Sequence, residues 1–200
     1  MSAKLFKTDI LFLQRILSSC GFYIGPLDGK WSDKVDAAEE ALLAESERIK
    51  TNLGAFDQRT ESNIVSLVPA AQTKARQFMN AVKNAPLTYK IISGTRTYAE
   101  QDDLAKKRPI VTKAKGGQSN HNFGIAWDVG IFENGTYYEG KPGKEDKAYV
   151  DLGKLIKANV PGIEWGGDWT SFVDKPHYQL ATGKSVSQIR ALLEKGKPYL

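Results

Sequence analysis

The chain contains two histidines, and each has a carboxylate close by in sequence: Asp128 lies seven residues after His121, and Asp174 three residues before His177. A catalytic zinc commonly takes three ligands from His and carboxylate side chains and keeps its fourth position for water, so two His and one Asp form a sufficient set. Residues seven apart on a straight strand point to opposite faces. His121 and Asp128 can therefore share a metal only if the chain bends between them, and Gly124 permits such a bend. Asp128 would then face the site while Trp127 and Val129 face the other way. In "DKPHYQ", Pro176 fixes the backbone before His177 and biases Lys175 to an extended conformation. A carboxylate such as Asp174, placed near a zinc-bound water, can take its proton and later protonate the leaving amine. Spacing alone leaves a second reading open, in which each histidine is a surface or core residue paired with a nearby Asp.

The elements that must position these residues are legible as patterns. Leu5, Ile10, Leu13, Ile16 and Leu17 recur at helical spacing and Gly21 stops them, which predicts a helix over about 7–20. After the turn-rich "GFYIGPLDGKWSDK", the run "VDAAEEALLAESERIK" is composed of strong helix formers. From Pro69 a helix is expected to run to Pro86, with Ala75, Phe78, Met79 and Val82 on one face. "LTYKIISG" reads as a strand. A capping box from Thr97 to Glu100 opens a helix expected to reach Pro109. "GIAWDVGIF" is a second strand, Asn134-Gly135 signals a hairpin turn, and "AYVDLGKLIKANV" is a helix weakened by Gly153. A tight Gly-Gly turn lies between Trp165 and Trp169, "KPHYQLAT" is a last strand, and "SVSQIRALLEK" has helical spacing. Helices segregated from hairpin-connected strands predict an α+β fold with an antiparallel sheet. Neither a phosphate-binding glycine loop nor a dinucleotide fingerprint is present.

With 200 residues, 41% hydrophobic and 26% charged, the chain is a folded protein with room for one good core and a smaller module. Its net charge of +5 favours anionic partners, but the lysines are scattered and no basic run exceeds "KKR" at 106–108, so no nucleic acid is expected. The single cysteine, Cys20, excludes an intrachain disulfide and reads as core packing. Gln14 and Arg15 interrupt the N-terminal apolar stretch before it reaches the length of a secretory core, and no run approaches the roughly 18 apolar residues of a membrane span. Synthesis in a cytoplasm without a signal peptide, and no membrane insertion, are the expectations.

Two resemblances sharpen this reading. Leu13, Gln14, Leu17, Gly21-Phe22-Tyr23, Gly25-Pro26-Leu27-Asp28-Gly29 and Trp31 resemble the peptidoglycan-binding module of bacterial and phage wall enzymes, over roughly residues 5–45. "GAFDQRTESNIVSL" at 54–67 lines up loosely with "GKWSDKVDAAEEAL" at 29–42, which extends the module to about residue 67. "SNHNFGIAWD" matches the S-x-H-x-x-G-x-A-x-D signature of the zinc D-alanyl-D-alanine metallopeptidase family, and "DKPH" its later D/E-x-x-H signature. "SGTRTYAEQDDL" resembles the family's SGYR-x-x-x-x-Q segment, with Thr95 where tyrosine is commoner. "WGGDWTSFVDKPHYQL" resembles the corresponding block of phage endolysins that cut L-alanyl-D-glutamate bonds.

The resemblance implies that His121, Asp128 and His177 hold one zinc ion, Asp174 activates water and Arg96 stabilises the developing oxyanion. It points to Ser119 and Gln101 as substrate contacts, with Trp165, Trp169 and Tyr178 as groove lining; for Ser119 loop capping, for Gln101 packing or orienting Arg96, and for the aromatics core packing stand as alternatives. The expected organisation is a helical wall-binding module over 1–67 and, over 68–200, a zinc peptidase domain of the fold shared by D-Ala-D-Ala peptidases, lysostaphin-type enzymes and hedgehog. The expected activity is hydrolysis of a peptidoglycan stem-peptide bond, first an L-alanyl-D-glutamate bond and otherwise a D-Ala bond cut by a DD-carboxypeptidase or DD-endopeptidase. A non-catalytic zinc-containing wall-binding domain is the reading from another class, and the retained Asp174 and Arg96 argue against it. The partner expected is peptidoglycan, met as a monomer in the periplasm or after lysis, with an immunity protein if the chain is a secreted effector.

Overall fold

The computed structural model describes residues 6–108 and 112–200; Leu5 of the first helical pattern and Pro109, the expected stop of the fifth helix, lie outside the described residues. Two compact units divide the chain, and they do not follow a single cut at residue 67: Met1–Arg48, Arg96–Gly124 and Thr182–Leu200 form one, Ile49–Thr95 and Ile125–Ala181 the other.

In the first unit, α1 (Lys7–Ser19) buries Ile16 and Leu17, and α2 (Asp33–Leu53) begins beside it. Leu17, Tyr23, Val35 and Ala38 make a small core with Leu13, Phe22, Leu27 and Leu42 around it. The turn between the helices is held by one side chain. Gln14, fully buried, donates to the Tyr23 hydroxyl, Asp28 Oδ1 and the Lys30 carbonyl, and accepts from Gly29 N–H. All the polar atoms of that amide are satisfied, as burial requires. Cys20 sits at the end of α1, where burial pushes its thiol up to about 11, in keeping with packing rather than reactivity. α5 (Tyr98–Lys106) starts at the expected capping box, with Thr97 accepting from Glu100 N–H and Glu100 answering to Thr97 N–H. α7 (Val186–Leu193) packs against α1 and buries Ile189 and Leu193.

The second unit is an antiparallel sheet backed by helices, as the segregated pattern predicts. The strands β1 (Thr88–Ser93), β2 (Ala126–Glu133), β5 (His177–Leu180) and β4 (Ile163–Trp165) lie side by side in the order β1-β2-β5-β4, and β3 (Thr136–Tyr137) pairs with the end of β2. The β2–β3 hairpin turns at Asn134 and Gly135, whose φ values of 49° and 81° are those of the turn their residue types favour. α3 (Gln58–Val65) packs on β1, α4 (Pro69–Ala81) on β5, and α6 (Lys144–Asn159) on β4. α4 ends at Ala81, five residues before Pro86. Lys83 and Ala85 N–H groups bond to Asn80 and Val82 carbonyls as turns, consistent with the proline's restriction of the residue before it.

Two features of this unit explain residues that read oddly in sequence. Gly153, inside α6, faces the Trp165 indole: a Cβ there would lie 2.5 Å from the ring, so only glycine lets helix and tryptophan meet. Arg76 is fully buried on α4, where its guanidinium makes a two-pronged bond to Glu61 (2.8 and 2.9 Å) and a third bond to the Gly54 carbonyl. Burial works to raise the Glu61 carboxyl, but the hydrogen bonds and charge of Arg76 outweigh it and hold Glu61 below the usual glutamate range.

Gly153→Ala should therefore lower stability by about 1–3 kcal/mol in urea unfolding through overpacking, although alanine is intrinsically the better helix residue by about 1 kcal/mol; a stabilised variant would contradict the packing. For Glu61 the folded-state value is lowered, so its stabilisation is present above the unfolded glutamate range and is lost as pH falls through the folded value. Glu61→Gln should destabilise the protein at neutral pH by about 3–5 kcal/mol, by leaving the buried Arg76 charge uncompensated. It should also flatten the acid limb of a stability-versus-pH curve, and an unchanged limb would refute the assignment.

Candidate metal centre

The centre is built on the register of β2 against β5. Asp128 stands directly opposite His177, Trp127 opposite Tyr178, and Ala126 opposite Gln179; across the next pair, Gln179 faces Glu164 and Tyr178 faces Trp165. Because strand side chains alternate, this register gives the sheet two chemically distinct faces. Asp128, His177, Gln179 and Glu164 share one face. Trp127, Tyr178 and Trp165 share the other, where Phe78 of α4 meets the Tyr178 ring edge-on at 4.8 Å and the Trp127 ring at 6.4 Å. Opposite residues in an antiparallel ladder are the closest cross-strand neighbours, and His177 Nδ1 accordingly lies 3.3 Å from Asp128 Oδ1. His177 is 5% exposed. Burial alone would lower its pKa, but the hydrogen bond and charge of Asp128, with help from Gln179 and the Asp174 charge, raise it above the ordinary histidine value.

His121 comes from a single 3-10 turn, Asn120–Phe123, and is 1% exposed. Ser119 caps that turn, its side chain accepting from His121 N–H, and Gly124 ends it with φ 68°, the left-handed conformation that bends the chain into β2 as expected from its position. Arg96 N–H donates to the His121 carbonyl at 3.1 Å. Fully buried Asn122 holds the same stretch, donating to the Arg96 and Thr97 carbonyls and accepting from Gly117 N–H. Among the described residues, His121, Asp128 and His177 form a cluster able to hold a metal ion: each offers one ligand atom, and these atoms lie within 4.8 Å of one another. The donor set fits zinc. Ligands about 2.0–2.1 Å from a tetrahedral zinc lie roughly 3.4 Å apart, close to the spacing already present between Asp128 and His177.

Asp174 is fixed by its main chain just ahead of β5. Its N–H donates to the Gly166 carbonyl (3.0 Å) and its carbonyl accepts from His177 N–H (3.2 Å). Two further bonds pin the turn, Trp165 Nε1 to the Lys175 carbonyl and Val129 N–H to the Pro176 carbonyl. Gly166 permits this approach, since a Cβ there would stand 2.5 Å from the Asp174 carbonyl oxygen. The Trp169 ring lies 4.9 Å from that of His177.

The residues expected to contact substrate differ in burial. Tyr178 is fully buried, and Trp165, 6% exposed, stacks on it, as the packing alternative for these aromatics would have it. Gln101, 1% exposed, donates to the Ala114 carbonyl and holds the segment after α5. Ser119 is half-buried rather than buried. Sequence reasoning overlooked Gln179, whose Oε1 lies 3.0 Å from His177 Nε2, and Glu164, which accepts from Gln179 Nε2 at 2.7 Å. Gln179 was legible as the residue two past His177, on the same face of a strand. Glu164 was not, because its proximity follows from strand register.

The family model described as D-alanyl-D-alanine carboxypeptidase matches residues 112–180, the stretch that carries His121, Asp128, Asp174 and His177. The chain is 35% identical over 127 residues to the peptidoglycan L-alanyl-D-glutamate endopeptidase CwlK of Bacillus subtilis (strain 168), covering 57% of this chain and 73% of that protein. It is 29% identical over 127 residues to the L-alanyl-D-glutamate peptidase of Listeria phage A118, covering 62% of this chain but only 41% of the phage protein. Among solved structures, the L-Ala D-Glu endopeptidase ChiX of Serratia marcescens aligns with a TM-score of 0.49 at 24% identity, over 62% of this chain and 88% of that one. The chain belongs to the D-alanyl-D-alanine metallopeptidase family, in the branch of the L-alanyl-D-glutamate peptidases.

Proposed function

We propose that the protein is a zinc-dependent peptidoglycan peptidase that hydrolyses the L-alanyl-D-glutamate bond of the stem peptide. The observation that carries this is the cluster of His121, Asp128 and His177, two buried imidazoles and a half-buried carboxylate whose ligand atoms lie within 4.8 Å of one another. Two relatives named for L-alanyl-D-glutamate cleavage support the choice of bond. His121, Asp128 and His177 would hold one zinc ion, which when bound supplies Lewis acidity and a water made acidic enough to act near neutral pH.

The remaining chemistry falls to the chain's own groups. Asp174 accepts a proton from the attacking water and returns it to the leaving amine, a role that needs a carboxylate held in a fixed place rather than on a mobile side chain. The backbone bonds on both sides of Asp174 fix its main chain and support this role. Arg96 donates to the oxygen of the scissile carbonyl as charge develops there, with its backbone tied to the His121 turn. Ser119, beside His121 and half-buried, is the residue of the expected substrate set best placed to meet the peptide. Residues 1–67 are assigned to wall binding, supported by the Gln14-centred turn and by the exposed Trp31. Among the described residues no helix is long and apolar enough to cross a membrane.

Incubation with purified murein, followed by mass spectrometry of the products, tests the reading. Stem peptides beginning at D-glutamate should be released, a chelator should abolish the release, and added zinc should restore it. Release of terminal D-alanine instead would favour the D-Ala-cleaving alternative, and chelator-insensitive cleavage would contradict the metal. Asp174→Ala should still bind one zinc while activity falls by about 100- to 10,000-fold. Cleavage at the wild-type rate by that variant would sink the role given to Asp174.

A further inference from the structure

Gln179 and Glu164 extend the ligand face of the sheet beyond the metal cluster. His177 and Gln179 are two apart on β5 and so point the same way, and Glu164 on β4 is the register partner of Gln179. The result is a line of side chains: Asp128 Oδ1, 3.3 Å to His177 Nδ1; His177 Nε2, 3.0 Å to Gln179 Oε1; Gln179 Nε2, 2.7 Å to Glu164 Oε2. Gln179 is 8% exposed, whereas Glu164 is exposed to solvent.

The polarity of that line follows from what each group can do. An ionised carboxylate only accepts hydrogen bonds, so Glu164 must meet the NH2 of the Gln179 amide and not its carbonyl. That leaves the carbonyl oxygen facing His177, and a carbonyl also only accepts. His177 Nε2 must therefore carry a hydrogen, and the lone pair available to a metal is the one on Nδ1, on the side of Asp128. The reverse amide orientation would set a carbonyl against the Glu164 carboxylate and an NH2 against Nε2, which would push the ring hydrogen to Nδ1 and block the atom that faces the site.

We propose that Glu164, acting through Gln179, is a positioning residue that makes His177 bind the metal through Nδ1. This inference rests on the zinc reading above. Groups behind a ligating histidine commonly fix its tautomer and ring orientation, and their loss typically weakens metal binding about 10- to 100-fold. Here the controlling acceptor sits one residue farther out, on the solvent side of a buried amide that relays its preference inward.

Substitutions at Glu164 test this without disturbing the core, because that side chain is exposed. Glu164→Gln keeps an oxygen able to accept from Gln179, whereas Glu164→Lys offers only donors and should turn the amide around. Zinc affinity is measured on the full chain by competition with a chromophoric chelator. The His177 ring is followed by nitrogen-15 NMR of the zinc-loaded protein, where only two histidines contribute. Wild type should show a hydrogen on His177 Nε2 and metal on Nδ1, and Glu164→Gln should keep that pattern with affinity within about threefold of wild type. Glu164→Lys should lose the Nε2 hydrogen signal and bind zinc about 10- to 100-fold more weakly, with unchanged thermal unfolding of the metal-free protein. The inference is overturned if Glu164→Lys keeps both the ring pattern and the affinity of wild type. It is overturned equally if Gln and Lys weaken zinc alike with no change at the ring, which marks a through-space charge effect. Failure of wild type to bind zinc at all would instead overturn the proposed function.

Discussion

The pairing of β2 with β5 in one register is the constraint on which the rest depends. It sets Asp128 opposite His177 and, one residue along, Trp127 opposite Tyr178. Sheet side chains alternate, so a slip of one residue in either strand would send its Asp128 or His177 into the aromatic core and bring its aromatic out. The register is strongly held because both alternatives are costly: Trp127 and Tyr178 are fully buried against Phe78, and an unpaired buried carboxylate or imidazole would have no compensation. Packing on the back of the sheet and chemistry on its front are thus one interaction seen from two sides. Trp165 shows how tightly the back is filled, with glycine required at both 153 and 167 for the chain to pass its ring.

Much of the candidate cluster of His121, Asp128 and His177 was legible in the sequence because its logic is local. Two histidines, the Gly124 bend and an Asp between two apolar residues state a geometry that needs only the alternation of a strand and one left-handed glycine. The Thr97–Glu100 cap and the Asn134-Gly135 turn were legible for the same reason, since each is complete within four residues or fewer. What could not be read depends on which strands become neighbours. For Trp165 and Tyr178 the sequence left groove and core both open; the register places their side chains on the buried face. Glu164 lies 13 residues before His177 and becomes part of its hydrogen-bonded surroundings only because β4 and β5 pair. Gly153 looked like a defect in α6 until the Trp165 ring supplied its reason.

The two buried histidines are held by different means. His177 is fixed by a strand, with an Asp on one ring nitrogen and an amide on the other. His121 is fixed by a 3-10 turn whose backbone is tied to Ser119, Arg96 and, through the Phe123 carbonyl, the Tyr199 hydroxyl at 2.5 Å. The residues that support the His121 turn therefore come from places far apart in the sequence, including the last residues of the chain. This helps explain why the compact units cut across a simple division into an N-terminal module and a following domain. Sequence order describes motifs well here, and packing describes the units that hold them.

The central claim is that one metal ion is held by His121, Asp128 and His177 on the polar face of the sheet. X-ray diffraction from crystals grown with zinc, collected on both sides of the zinc absorption edge, tests it most directly. The account predicts one anomalous peak about 2.0–2.2 Å from an imidazole nitrogen of His121, a carboxylate oxygen of Asp128 and Nδ1 of His177. No peak at that point, or one bound to His177 through Nε2, would contradict it.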